Sequence, residues 1–328
     1  MAISRREAMT MGAGTAALAM AGAAVPLSPA AAGDRRPHLP SDRELARSLP
    51  GFRSRHARVN GIRLHYVSGG RGEPLVLVHG WPETWWEYRK VMPALADHFQ
   101  VIAVDLRGIG GSDKPPSGYE KKNLARDIYE LVRQLGFSEV NIAGHDIGSN
   151  VAFSLAANHP DSVRKLALLS VLHPDESLYE NRMLQRPGMG FNLWWHAFNQ
   201  VEDLPELLLA GRARYLIDWM FDNSLFDLSA IGRRDRAIYA REYDHPAAIR
   251  GSNGWFKAWH QDVVDHKDYG PVTVPMLGLA SFLTFDTLNE VMPTRGTDVR
   301  VELVEGAGHY FVEEQPAAVV DAFIQFFG

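Results

Sequence analysis

A chain of 328 residues can bury one large core, and a formal net charge of −5 gives no sign of a nucleic-acid partner. The absence of cysteine excludes a disulfide framework and thiolate catalysis, and leaves the redox compartment open. At the N-terminus, Ser4-Arg5-Arg6-Glu7 precedes a weakly apolar stretch from Met9 to Val25, then Pro26, Pro29 and Ala30-Ala31-Ala32. A positive n-region, a short apolar h-region and a small-residue cleavage site read as an export signal. The paired arginines are twin-arginine-like, although Ala8 stands where that motif prefers a bulky apolar residue. Gly12, Gly14, Gly22 and Pro26 interrupt the run and argue against a membrane anchor. Residues 1–32 are therefore set apart as the signal of a periplasmic or secreted protein, and 33–50 read as a polar, proline-containing linker.

Two alternating segments, His56–Asn60 and Ile62–Ser68, meet at Asn60-Gly61, a strong hairpin signal. Pro74–His79 is a continuous apolar run, as in a strand buried on both faces. It ends in His79-Gly80-Trp81-Pro82, after which Thr84–Ala96 carries a helical pattern. Gln100–Val104 is a second buried strand, and Asn123–Leu135 has helical periodicity. Val140–Ala143 then leads through Gly144-His145-Asp146-Ile147-Gly148 into a helix over Ile147–Ala157, and Lys165–Ser170 is another strand. This alternation implies an α/β fold, with a mostly parallel sheet and helices on both faces. From Leu172 to Lys267 it stops. The spacing there predicts helices over Leu178–Leu184, Leu204–Phe221, Ser229–Tyr243 and Asn253–Asp262, with Pro246 and Gly251 separating two of them. Pro275–Ala280 and Asp298–Val304 resume the strands, and Ala317–Phe327 closes the chain as a helix. Residues 51–171 and 268–328 thus form the core, and 172–267 an inserted helical lid placed where α/β folds bind ligands.

The decisive stretch is Gly144-x-Asp146-x-Gly148. Two glycines flanking a polar residue at a strand-to-helix junction make a nucleophile elbow, here with a carboxylate where serine is usual. An ionised carboxylate displaces a leaving group from saturated carbon and becomes an alkyl ester, which water must then hydrolyse. The competing reading is a glycine-rich turn whose Asp146 caps the helix. The base that activates water is His309, in the glycine-flanked loop Gly306-Ala307-Gly308-His309-Tyr310 after the last strand. The backbone N–H groups of Ile147 and Trp81 are the expected oxyanion donors, and the His79 side chain reads as structural. Trp81, Trp85 and Trp86 face five lid tryptophans in the sequence, implying an aromatic-lined apolar pocket; Trp219 and Trp259 read as lid packing.

Taken together, His79-Gly80-Trp81-Pro82-Glu83-Thr84-Trp85, Asp105-Leu106-Arg107-Gly108-x-Gly110-x-Ser112 and Gly144-His145-Asp146 resemble the epoxide hydrolase and dehalogenase branch of the α/β-hydrolases. The resemblance implies a cis Trp81-Pro82 bond, Asp146 as nucleophile and His309 as base. Trp195-His196 is most similar to exported bacterial epoxide hydrolases, in which a lid histidine (His196 by match) and a lid tyrosine hydrogen-bond the epoxide oxygen. Two positions depart from that pattern. The triad carboxylate expected at the end of the strand before the lid is Ser170; Asp286, displaced from the alternative position, or no triad acid at all are the leading options, and Asp175 trails. The lid stretch expected to carry tyrosine reads Gly254-Trp255-Phe256-Lys257; Tyr239 and Tyr243 read as structural before they read as stand-ins, which leaves His196 open as sole donor.

The implied function is hydrolysis of a small apolar epoxide to a vicinal diol, with Trp195, Trp255 and Phe256 against the substrate and no metal or organic cofactor. Haloalkane chemistry is disfavoured because Ile147 follows the nucleophile where relatives place tryptophan. Fluoroacetate chemistry is disfavoured by Ile147 and Asn150 in place of arginines. A weakened hydrolase that binds a small apolar ligand stays open. An ordinary esterase does not fit, since Ser149 lies in the helix and not at the turn. No nucleic acid is expected as a partner, nor a membrane after signal removal, and a homodimer stays open.

Overall fold

The computed structural model describes residues 39–181 and 193–328, so the proposed signal lies outside the described residues. Eight strands form one sheet: β1 (Arg53–Val59), β2 (Ile62–Gly70), β3 (Glu73–Val78), β4 (Phe99–Val104), β5 (Val140–His145), β6 (Val163–Leu169), β7 (Met276–Ala280) and β8 (Val299–Leu303). Their order is β1-β2-β4-β3-β5-β6-β7-β8; β2 pairs antiparallel with β1 and β4, and the remaining pairs are parallel. The β1–β2 hairpin turns at Asn60 and Gly61, both with positive φ, the conformation that makes Asn-Gly the preferred pair there. Every residue of β5 is buried, as a central strand covered on both faces requires.

Several sequence-level boundaries shift. Residues 33–50 are not wholly a linker: Asp42–Arg47 is a helix closed by a Ser41–Glu44 capping box, with Leu45 and Ala46 buried in the core. Asp42 also accepts from the indole N–H of Trp85 at 2.9 Å. The helix expected over Thr84–Ala96 is a 3-10 turn, Trp85–Lys90, followed by a short α-helix, Met92–Leu95. Pro93 explains the restart, because it is tolerated only in a first turn.

Between β6 and β7, described helices span Trp194–Phe198, Leu204–Leu209, Ala213–Ser224, Arg233–Glu242, Pro246–Lys257 and Trp259–His266. The helix predicted over Leu204–Phe221 is cut at Gly211, whose φ is 73°. Residues 182–184 of the helix predicted over Leu178–Leu184 lie outside the described residues, and Glu176–Glu180 is a 3-10 turn. Pro246 marks a break between helices, Arg233–Glu242 and Pro246–Lys257, but Gly251 does not. Pro246 opens one, where its missing N–H costs nothing, and Gly251 lies inside it because a Cβ there would meet the Gly108 backbone at 2.5 Å. These helices are clamped to the core: Lys121 Nζ meets Asp262 Oδ2 at 2.6 Å and the Tyr243 hydroxyl donates to Glu83 O at 3.1 Å. Among the described residues, no helix is long and apolar enough to cross a membrane.

Candidate active site

β5 delivers the backbone into the elbow under tight steric control. A Cβ on Gly144 would lie 2.1 Å from Gly148 O, and one on Gly148 would lie 2.0 Å from Val78 O. Only glycine fits both places. Between them Asp146 adopts φ 50° and ψ −121°, a strained conformation for a side-chain-bearing residue. It occupies the N-cap of the helix Ile147–Asn158 but makes no side-chain capping bond. The capping alternative therefore fails, and the strain serves to present the carboxylate.

That carboxylate is held from two sides. The Trp81 N–H donates to Asp146 Oδ1 at 2.9 Å, and His309 Nε2 lies 3.5 Å from Oδ2. Burial alone would raise its pKa, but the His309 hydrogen bond and charge, with His145 and the Trp81 N–H, hold Asp146 well below the ordinary carboxylate range. It is ionised at neutral pH. Ile147 opens the helix, so its N–H has no intrahelical acceptor. The Trp81-Pro82 bond is cis, as the resemblance implies.

On the far side of the imidazole, Ser170 Oγ bonds His309 Nδ1 at 2.8 Å. Ser170 has φ 75°, so the strand-end residue is turned toward the ring as a carboxylate would be, but brings no charge. The histidine loop is fixed from behind. His309 N donates to Ser224 O at 3.0 Å, and Gly308 N donates to Glu314 Oε2 at 2.8 Å.

A further network joins the Gly80 turn, the elbow and the His309 loop. Glu87 Oε2 accepts from Gly80 N at 3.0 Å, its Oε1 lies 3.1 Å from His145 Nδ1, and His145 Nε2 lies 3.0 Å from His309 O. With acceptors at both ring nitrogens, His145 is best satisfied as an imidazolium. Burial opposes that charge, but Glu87 outweighs it and raises the ring's affinity for a proton. Burial and neighbouring Glu87 push Glu83 well above its usual range. His79 is structural: its Nε2 accepts from Leu106 N at 3.1 Å and its Nδ1 faces Gly80 O.

Above the carboxylate, the Phe256 ring stands edge-on to Trp81 at 5.4 Å, and His196 lies 6.1 Å from Phe256 and 4.7 Å from Trp259. Burial lowers the His196 pKa to about 4 against the opposing pull of Asp146, so this ring is neutral near pH 7.

Residues 73–205 match the α/β-hydrolase fold family. A soluble epoxide hydrolase of Corynebacterium sp. (strain C12) is 32% identical over 280 residues, covering 83% of this chain and 96% of that enzyme. A fluoroacetate dehalogenase of Burkholderia sp. is 31% identical over 286 residues, covering 81% of this chain and 90% of that one. The chain belongs to the epoxide hydrolase and dehalogenase branch of the α/β-hydrolases. The solved epoxide hydrolase CorEH superposes with a TM-score of 0.76 at 32% identity, covering 84% of this chain and 98% of that one. The Cif epoxide hydrolase of Acinetobacter nosocomialis, at 21% identity and a TM-score of 0.80, shares the fold.

Within this α/β-hydrolase, Asp146, His309, Trp81, Ile147, His196 and Phe256 converge on one cleft. Asp286 does not join them: it is exposed in the first turn of the helix Phe285–Val291, while both His309 ring nitrogens are engaged elsewhere. Asp175 pairs with Arg295 and caps a 3-10 turn. Trp255 forms the wall behind the cleft, fully buried beside His79 with its indole donating to Arg107 O at 3.0 Å. Trp195 packs among Trp194, His196 and Trp219, at the rim. Tyr239 donates to Glu313 at 2.8 Å and Tyr243 to Glu83 O, so both phenols are committed to structure. Sequence reasoning missed Glu87; its signal was a second acid four residues after Glu83, with no local clue to its partner.

Proposed function

We propose that this hydrolase opens small apolar epoxides through an alkyl ester on Asp146 and releases vicinal diols. The carrying observation is the strained Asp146 carboxylate between the Trp81 N–H and His309 Nε2, with no capping bond to retain it. In the first step an Asp146 oxygen bonds to a ring carbon, the ring C–O bond breaks, and its electron pair stays on oxygen as an alkoxide. His196, neutral and facing Asp146, donates a hydrogen bond to that oxygen, which then takes a proton from solvent. In the second step His309 removes a proton from water, the hydroxide adds to the ester carbonyl carbon, and the Trp81 and Ile147 N–H groups hold the oxyanion. The acyl C–O bond then breaks, the departing oxygen takes the proton from His309 to complete the diol, and the proton on the regenerated Asp146 carboxyl passes to solvent.

Ser170 makes the second step the slow one. A hydroxyl orients the imidazole but does not neutralise the charge that forms on it. The ester on Asp146 accordingly builds up during turnover. A dehalogenase reading has less support: Asn150, where fluoroacetate relatives carry arginine by resemblance, spends its amide on Leu172 O at 2.8 Å.

The test is a His309→Gln variant mixed separately with styrene oxide, a haloalkane and an ester, then weighed as intact protein. The expected result is a mass gain equal to the whole epoxide, mapped to Asp146. Adduct from the haloalkane alone moves the assignment to dehalogenation, and no adduct from any of them favours a ligand-binding protein. We also propose export, with a mature N-terminus near Ala32, which sequencing of the secreted or periplasmic protein checks.

A further inference from the structure

Among the described residues, Trp259 presents a donor that the mechanism above leaves unused. It is 6% exposed, and its indole Nε1–H is buried without a hydrogen-bond partner. Indoles buried here for packing are satisfied: Trp85 donates to Asp42, Trp86 to Asp235 and Trp255 to Arg107 O. An orphaned buried donor in a native fold calls for an explanation.

Its place supplies one. Trp259 opens the helix Trp259–His266, three residues beyond Phe256, and stands edge-on to Phe256 at 4.9 Å and to His196 at 4.7 Å. Phe256 in turn contacts Trp81, whose backbone holds Asp146. The indole therefore sits against the lid histidine and beside a phenyl ring that has nothing to donate.

We infer that the Trp259 Nε1–H is a second hydrogen-bond donor to the epoxide oxygen, acting beside His196 as the ring opens. This rests on the epoxide reading above and deepens it. As Asp146 bonds to the ring carbon and the C–O electron pair moves onto oxygen, two fixed donors hold the alkoxide in a site with little water. The indole keeps its proton; the alkoxide is protonated by solvent. A donor aimed at charge that exists only after bond breaking accelerates that step without tightening binding of the epoxide.

The experiment follows alkylation of Asp146 by styrene oxide, by intact mass against time, in a His309→Gln parent where the ester persists. Adding Trp259→Phe keeps the ring and removes the N–H. The expected result is alkylation slowed roughly a hundredfold, with the half-saturating epoxide concentration and the pH profile unchanged. Adding Phe256→Tyr to that double variant returns a phenol to the neighbouring position and restores part of the rate. Unchanged alkylation in Trp259→Phe overturns the inference, as does a slowing that Phe256→Tyr does not relieve, which marks a packing role or an N–H directed at a ring face. If the His309→Gln parent, with Trp259 intact, gives no epoxide adduct at all, the epoxide reading falls and takes this inference with it.

Discussion

The floor of the cleft and its roof solve different problems. On the floor, the elbow, the Trp81 turn and the His309 loop are cross-tied through Glu87 and His145. The roof is aromatic and leaves the Trp259 Nε1–H facing no polar group, whereas the buried floor atoms without a hydrogen bond, on Glu83, Glu87 and His145, lie against one another as charged neighbours. A preorganised floor presents the carboxylate before substrate arrives, whereas a roof with an unsatisfied donor is completed by what enters. On the proposed mechanism, the floor sets which bond is made and the roof which oxygen is accepted.

Breaking the floor should therefore cost most. Asp146→Asn removes the nucleophile and should reduce steady-state epoxide turnover by at least about 10⁴-fold, measured as diol formation. Residual turnover within tenfold of the parent would dissolve the distinction between the two regions. Gly148→Ala forces a methyl into Val78 O and should destabilise the fold by more than about 4 kcal/mol, read by urea unfolding or loss of soluble protein.

Sharpening the comparison needs a gain. Ser170→Asp, at a positive φ that aspartate tolerates better than most residues, should speed ester hydrolysis by about a hundredfold and remove the accumulated adduct. The variant should leave alkylation of Asp146 unchanged, because that step belongs to the other face of the imidazole.

The smallest effect concerns pH. Burial, with His266 adding to it, lowers the pKa of His173 to about 3, and that of His196 is lowered to about 4. Below an unfolded value near 6.5 the unfolded chain binds protons that these folded rings refuse. Their share of stability is thus present above pH 6.5 and is lost as pH falls through the window down to about 3. His173→Phe should flatten that loss, by at most about 1.4 kcal/mol per pH unit, seen as a shallower fall in Tm on acidification.

What the sequence disclosed was local. The elbow, His79-Gly80-Trp81-Pro82 and the His309 loop are each a few residues long, and backbone sterics write them as glycine patterns. Ser170 was legible as a missing charge, but its hydroxyl on His309 Nδ1 was not, since the bond spans 139 residues. The Glu87–His145 pair and the unsatisfied Trp259 indole were hidden for the same reason: burial and partnership at long range leave no periodic trace. The lid helices were located but misjoined, because Gly251 looked like a break when its role is contact with Gly108.

That glycine contact has a consequence for traffic through the enzyme. Where Gly251 meets Gly108, main chain touches main chain and there is no side chain to swing aside. This seam is a weld and not a doorway, and the nearby Lys121–Asp262 tie holds the same flank shut. Reactant and product must pass elsewhere along the rim, so a bulky residue at either glycine would unseat the cover instead of narrowing a passage.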